Sequence, residues 1–92
     1  MASSIRSRTE IVSQILETVH DPDGYNDDGE GITQTEIMYG LYLSSGSLRE
    51  YLIALTVYGL LIYDSSMRRY HITEKGVRFL ELYSKLGDMM KE

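Results

Sequence analysis

Apolar residues recur at intervals of three and four along four stretches of the chain. Ile11, Ile15, Leu16 and Val19 form the first series, and Ile37, Met38, Leu41 and Tyr42 the second. Leu48, Leu52, Leu55 and Tyr58 form the third, and a richer series runs from Val77 to Met89. Such spacing places each set on one face of a helix, so helices are predicted over 6–20, 33–43, 45–58 and 73–90. The polar residues at their starts agree. Ser7-Arg8-Thr9-Glu10 and Thr33-Gln34-Thr35-Glu36 both match a capping box, in which the first side chain and the glutamate satisfy each other's free N–H groups. Ser44 or Ser45 and Thr73 offer the same N-cap oxygen to the third and fourth helices. Pro22 and Gly24 stop the first helix, and Gly59 follows the third where a left-handed residue closes a helix. Over 60–72 the pattern changes. Leu60-Leu61-Ile62-Tyr63 and Arg69-Tyr70-His71-Ile72 are short β-prone runs around the polar turn Asp64-Ser65-Ser66, which predicts a hairpin.

Only Leu43 and two serines follow Tyr42, the last apolar residue of the second series, before the body of the third helix. A link that short, before a helix that ends at a hairpin, favours a helix-turn-helix over a generic bundle. The expected fold is therefore α+β, a winged helix-turn-helix with a three-helix core, a β-hairpin wing and a C-terminal helix. Ninety-two residues with 42% hydrophobic content form one domain with a small core of the marginal kind this length supports.

Charge first looks adverse to a nucleic-acid partner, because the net charge is -5 and a DNA duplex attracts basic surfaces. Its distribution removes the difficulty. Five of the fourteen acids, Asp21, Asp23, Asp27, Asp28 and Glu30, fall in one loop over 21–31, so the remainder holds nine acids against nine bases. Local basic spots stand at Arg6 and Arg8, Arg49, and Arg68-Arg69. The acidic loop has the oxygen ligands of a calcium loop but not its register: counted from Asp21, Tyr25 and Ile32 stand at the fifth and twelfth positions. No metal is expected there. The chain has no cysteine, which excludes disulfides and thiolate chemistry. No apolar run approaches a membrane span, and the N-terminus lacks a secretory core, so no membrane partner and a cytoplasmic location are expected. His20 and His71 stand alone, with no phosphate loop, nucleophile elbow or HExxH pattern. No catalytic residue and no cofactor are expected. Eight tyrosines against one phenylalanine suit half-buried seams, and Tyr39, Tyr42, Tyr51, Tyr58 and Tyr70 are expected at the edge of the core.

The run GITQTEIMYGLYLSSGSLREYLIALTVYGLLIY, followed by YHITEKGVRFLE, resembles the small archaeal winged-helix DNA-binding proteins. These include transcription regulators and chromatin-associated proteins that dimerise through a C-terminal helix. The likeness covers nearly the whole chain from Arg6. It implies duplex DNA as partner, with the third helix in the major groove and Ser45, Ser47, Arg49, Glu50 and Ile53 facing it. Arg49 would pair with guanine and Glu50 accept from cytosine N4, each a discrimination of ~1–3 kcal/mol. Arg68 and Arg69 would contact phosphate or reach the minor groove from the wing. A winged-helix module that docks a protein partner is the alternative, supported by the acidity and by Arg49 being the one base on that helix.

The last helix carries two apolar faces. Val77, Leu80 and Tyr83 are in phase with the domain core, while Phe79, Leu82, Leu86 and Met89 repeat at the spacing of a coiled-coil seam. A second copy of the chain is the simplest partner for that seam, giving a homodimer with paired recognition helices.

Overall fold

The structure, a computed structural model, describes residues 7–20 and 31–90. Arg6 and the acidic stretch 21–30 lie outside the described residues. Four helices and one hairpin follow in the order α1 (Arg8–His20), α2 (Gln34–Leu41), α3 (Ser45–Val57), β1 (Leu61–Asp64), β2 (Arg69–Ile72) and α4 (Glu74–Met90). This is the α+β winged arrangement expected.

The helix boundaries follow from local hydrogen bonds. Ser7 Oγ accepts from Glu10 N at 3.0 Å and opens α1. At α2 the capping box closes in both directions, with Thr33 Oγ1 accepting from Glu36 N at 3.2 Å and Glu36 Oε1 from Thr33 N at 3.0 Å. The helix stops at Leu41, two residues before the expected end at 43, because Tyr42 turns left-handed at φ 56°. That turn lets Ser44 cap α3, its Oγ accepting from Ser47 N at 3.2 Å. After Val57 the chain enters a Schellman closure: Leu60 N donates to Leu55 O at 2.8 Å and Gly59 N to Thr56 O at 3.1 Å, with Gly59 at φ 82°. Leu60 N is thereby committed to α3, and the first strand begins at Leu61. Thr73 is the cap of α4, accepting from Gly76 N at 3.0 Å.

The core contains Ile15, Leu16 and Val19 of α1, Ile37 of α2, Leu48, Leu52 and Leu55 of α3, and Leu61 of β1, all buried. Phe79 and Leu80 of α4 pack against it from outside, as do Tyr51, Tyr70 and Ile72. Ser13, the buried polar residue among the described ones, donates its hydroxyl to Glu10 O at 2.8 Å, so its burial carries no unsatisfied group.

The hairpin is antiparallel, with Leu61 opposite Ile72 and Asp64 opposite Arg69. A further pairing lies on its other side. Ile32 exchanges two hydrogen bonds with Tyr70, at 3.0 and 2.8 Å, so the segment before α2 joins the wing as a one-residue third strand. Gly31 makes this approach possible: it lies at φ 86°, and a Cβ there would stand 2.5 Å from Tyr70 O. At the far end of the wing, Thr73 Oγ1 donates to Gly59 O at 2.7 Å and Lys75 Nζ to Tyr58 O at 2.8 Å. The start of α4 is thus tied to the end of α3.

Three of the tyrosines expected at the core edge are not there. Tyr39, Tyr42 and Tyr58 are exposed, Tyr42 to 92%. Tyr39 stands on the outer side of α2, Tyr42 occupies the left-handed corner, and Tyr58 caps α3, so none can turn its ring inward. Tyr51 and Tyr70 do sit at the core edge, half-buried and packed against it.

Candidate nucleic-acid interface

Burial of Leu48, Leu52 and Leu55 fixes which side of α3 faces outward. At 100° per residue the opposite side carries Gly46, Glu50, Ile53 and Val57 in one line along the helix. All four are exposed, Ile53 to 55%. Ser45 and Arg49 lie on one flank and Ser47 and Ala54 on the other, again exposed. The five α3 residues singled out from the sequence are therefore all accessible, with Glu50 and Ile53 nearest the centre of the face. Arg49 is on the side of the wing, close enough to Tyr70 for its charge to favour the phenolate. Burial of Tyr70 outweighs this and, with the neighbouring Tyr63 hydroxyl, holds its pKa above the ordinary tyrosine value. The two rings meet across the strands at 4.8 Å.

On the other flank, Ser47, Glu50, Tyr51 and Ala54 join Arg8 around an open cleft of about 340 Å³. Arg8 was legible in the sequence only as a basic spot; its place beside the N-terminal half of α3 depends on how α1 packs. It adds a cation to a helix that supplies just Arg49.

The wing turn is organised by one carboxylate. Asp64 Oδ1 accepts from Ser66 Oγ at 2.7 Å, Ser66 N at 3.0 Å and Met67 N at 3.4 Å. The Ser66 hydroxyl, then these N–H groups and the field of His71, hold the Asp64 carboxyl below its ordinary pKa despite some desolvation. The turn ends at Arg68, left-handed at φ 57° and exposed beside the exposed Met67. Arg69 differs. It is half-buried, and its guanidinium donates to Gly31 O at 3.3 Å, holding the 31–32 segment against the wing. Of the two wing arginines named from the sequence, the structure presents Arg68 outward and draws Arg69 inward.

Phe79, Leu82, Leu86 and Met89 are likewise separated. Phe79 is half-buried, packs on the core of its own chain and stacks on Tyr83 at 6.2 Å and 19°. Leu82, Leu86 and Met89 are exposed, Met89 to 79%. Every residue from 84 to 89 is exposed, so this end of α4 lies off the core. Among the described residues no helix is long and apolar enough to cross a membrane, and no group of three or more His, Cys, Asp or Glu is placed to hold a metal ion.

A family model described as winged helix-turn-helix matches residues 5–91 of the chain. No curated protein matches it.

Proposed function

The chain belongs to the winged helix-turn-helix family, and from that premise we propose that it is a homodimeric transcriptional regulator that binds duplex DNA through α3 and the wing. The observation that carries this reading is the outward face of α3, accessible along its length and flanked by Arg8 on one side and by Arg49 and the wing on the other. In this reading the outward face of α3 enters the major groove from its N-terminus as far as Ile53. Arg49 pairs with a guanine edge, Glu50 accepts from a base amino group, and Ser45 and Ser47 contact the adjoining backbone. Arg68 and Arg8 meet phosphates on either side. Their role is to set register rather than to read sequence.

The second copy has a physical motive. A helical end that lies off its own core has little to hold it, since most helix stability comes from packing an apolar face. Leu82, Leu86 and Met89 provide such a face, and the resemblance to small archaeal regulators with a C-terminal dimerisation helix supports the same pairing. A two-fold arrangement then presents two α3 helices to a pseudo-palindromic site.

A mobility-shift assay on genomic fragments, including the chain's own upstream region, tests the proposal when run as a salt series. The affinity should fall with a log–log slope of about -0.9 for each phosphate contacted. A second reading rests on Ile53, Val57 and Tyr58 being exposed on and after a helix with a single base: the same face docks a protein. Absence of binding to any duplex at low salt would replace the first reading with the second.

A further inference from the structure

We propose that α3 reads the 5-methyl group of thymine through Ile53, with Glu50 accepting from the amino group of a base in the adjacent pair. This rests on the DNA-binding reading above. The usual expectation for a recognition helix is a row of long polar side chains. Here the central line of the outward face carries one carboxylate and two branched apolar residues, Glu50 between Gly46 and Ile53, with Val57 one turn further on.

Each of these residues restricts what can lie opposite it. Ile53 is 55% exposed and makes no contribution to the buried core, so its side chain is available to a partner. The floor of the major groove consists of hydrogen-bonding groups, with one apolar exception, the thymine methyl. Against a purine edge the isoleucine would desolvate a donor or acceptor and return no hydrogen bond, and against cytosine it would meet only a C5–H, with no methyl to cover. Against thymine it covers a methyl of matching chemistry. Glu50 narrows the choice further. A carboxylate is repelled by phosphate and by the acceptors of guanine, adenine N7 and thymine O4, and the donor that suits it best is cytosine N4. In an A·T pair thymine O4 stands between the adenine N6 donor and the methyl. Glu50 and Ile53, one helical turn apart, therefore take adjacent base pairs, an amino group for the carboxylate and a thymine methyl for the isoleucine.

Gly46, on the same line one turn before Glu50, has no group within 4 Å of where a Cβ would stand. Among the described residues none stands within 4 Å of that point, so this end of the line is open to a groove. Arg49, displaced toward the wing, is left to engage a flanking guanine or the backbone, and Arg8 and Arg68 anchor the two sides. The specificity is therefore for a thymine at the centre of each half-site, next to the base pair that faces Glu50.

The test uses the full chain and duplexes selected by it from a random library. Each thymine of a selected duplex is replaced in turn by deoxyuridine, which removes the methyl and leaves the pairing, and binding is followed by fluorescence anisotropy at fixed salt. At one or two positions per half-site uracil should weaken binding about four-fold, the ratio that corresponds to ~0.8 kcal/mol for one buried methyl-sized group. Ile53→Ala should bind the thymine duplex as weakly as the uracil duplex and no longer distinguish them, with an unchanged melting temperature, while Ile53→Val keeps the distinction. Equal binding of thymine and uracil duplexes at every position, or an undiminished uracil penalty in Ile53→Ala, would overturn the inference and leave DNA binding standing. If no duplex is selected at all, the DNA-binding reading fails and the inference with it.

Discussion

Arg68 and Arg69 are adjacent in the sequence and identical in chemistry, yet they do different work. Arg69 is half-buried and donates to Gly31 O, so replacing it by alanine removes a hydrogen bond that joins the 31–32 segment to the wing. Arg69→Ala should lower stability by about 1 kcal/mol, the usual net contribution of such a bond, visible in a urea unfolding curve. Arg68 is exposed at the tip. Arg68→Gln should leave that curve in place and reduce the salt slope of DNA binding by about 0.9 for each protomer bound. Two adjacent arginines could not be told apart in the sequence, because the distinguishing partner, Gly31, stands far away along the chain. Arg8 illustrates the same difficulty in reverse. Its neighbours Ser47, Glu50 and Ala54 are brought to it by packing alone.

At the scale of elements, the helix-turn-helix corner depends on an unfavourable backbone conformation. Tyr42 is left-handed at φ 56° and 92% exposed, so its ring contributes nothing to offset the strain of a Cβ in that region. Tyr42→Gly should raise stability by about 0.5–1 kcal/mol, the relief of that strain less the added freedom of glycine in the unfolded chain. A shift of the urea midpoint to higher concentration checks it. The wing turn handles a similar problem with polar chemistry: Asp64 collects three hydrogen bonds from Ser66 and Met67 before the chain reaches Arg68 at φ 57°. The caps at Ser7, Thr33, Ser44 and Thr73 were legible in the sequence because each joins residues three apart. The left-handed corner at Tyr42 was not, since a tyrosine gives no local signal for that conformation.

For the whole molecule, the decisive question is what covers Leu82, Leu86 and Met89 at the end of α4. If a second copy does, replacing Leu82 and Leu86 together by lysine should reduce the mass found by light scattering from two chains to one. The fold should survive, because both residues are exposed within the single chain. DNA affinity should fall as well, since each half-site would then be bound independently. The 3.6-residue periodicity, the caps and the Gly59 stop determined on their own that this chain forms four helices and a hairpin in the winged order. They did so because helix phase, N-caps and left-handed closures are interactions between near neighbours. Of the central outward line of α3, the family resemblance pointed to Glu50 and Ile53 but not to Gly46 or Val57, although burying Leu48, Leu52 and Leu55 fixes all four on the opposite side. Only the tertiary structure decided that Ile32 joins the wing, that Arg69 turns inward while Arg68 does not, that Arg8 stands beside α3, and that Phe79 belongs to its own core. Each of those depends on contacts between segments distant in the chain, whose mutual placement is set by the shape of the shared core and leaves no periodic mark in the sequence.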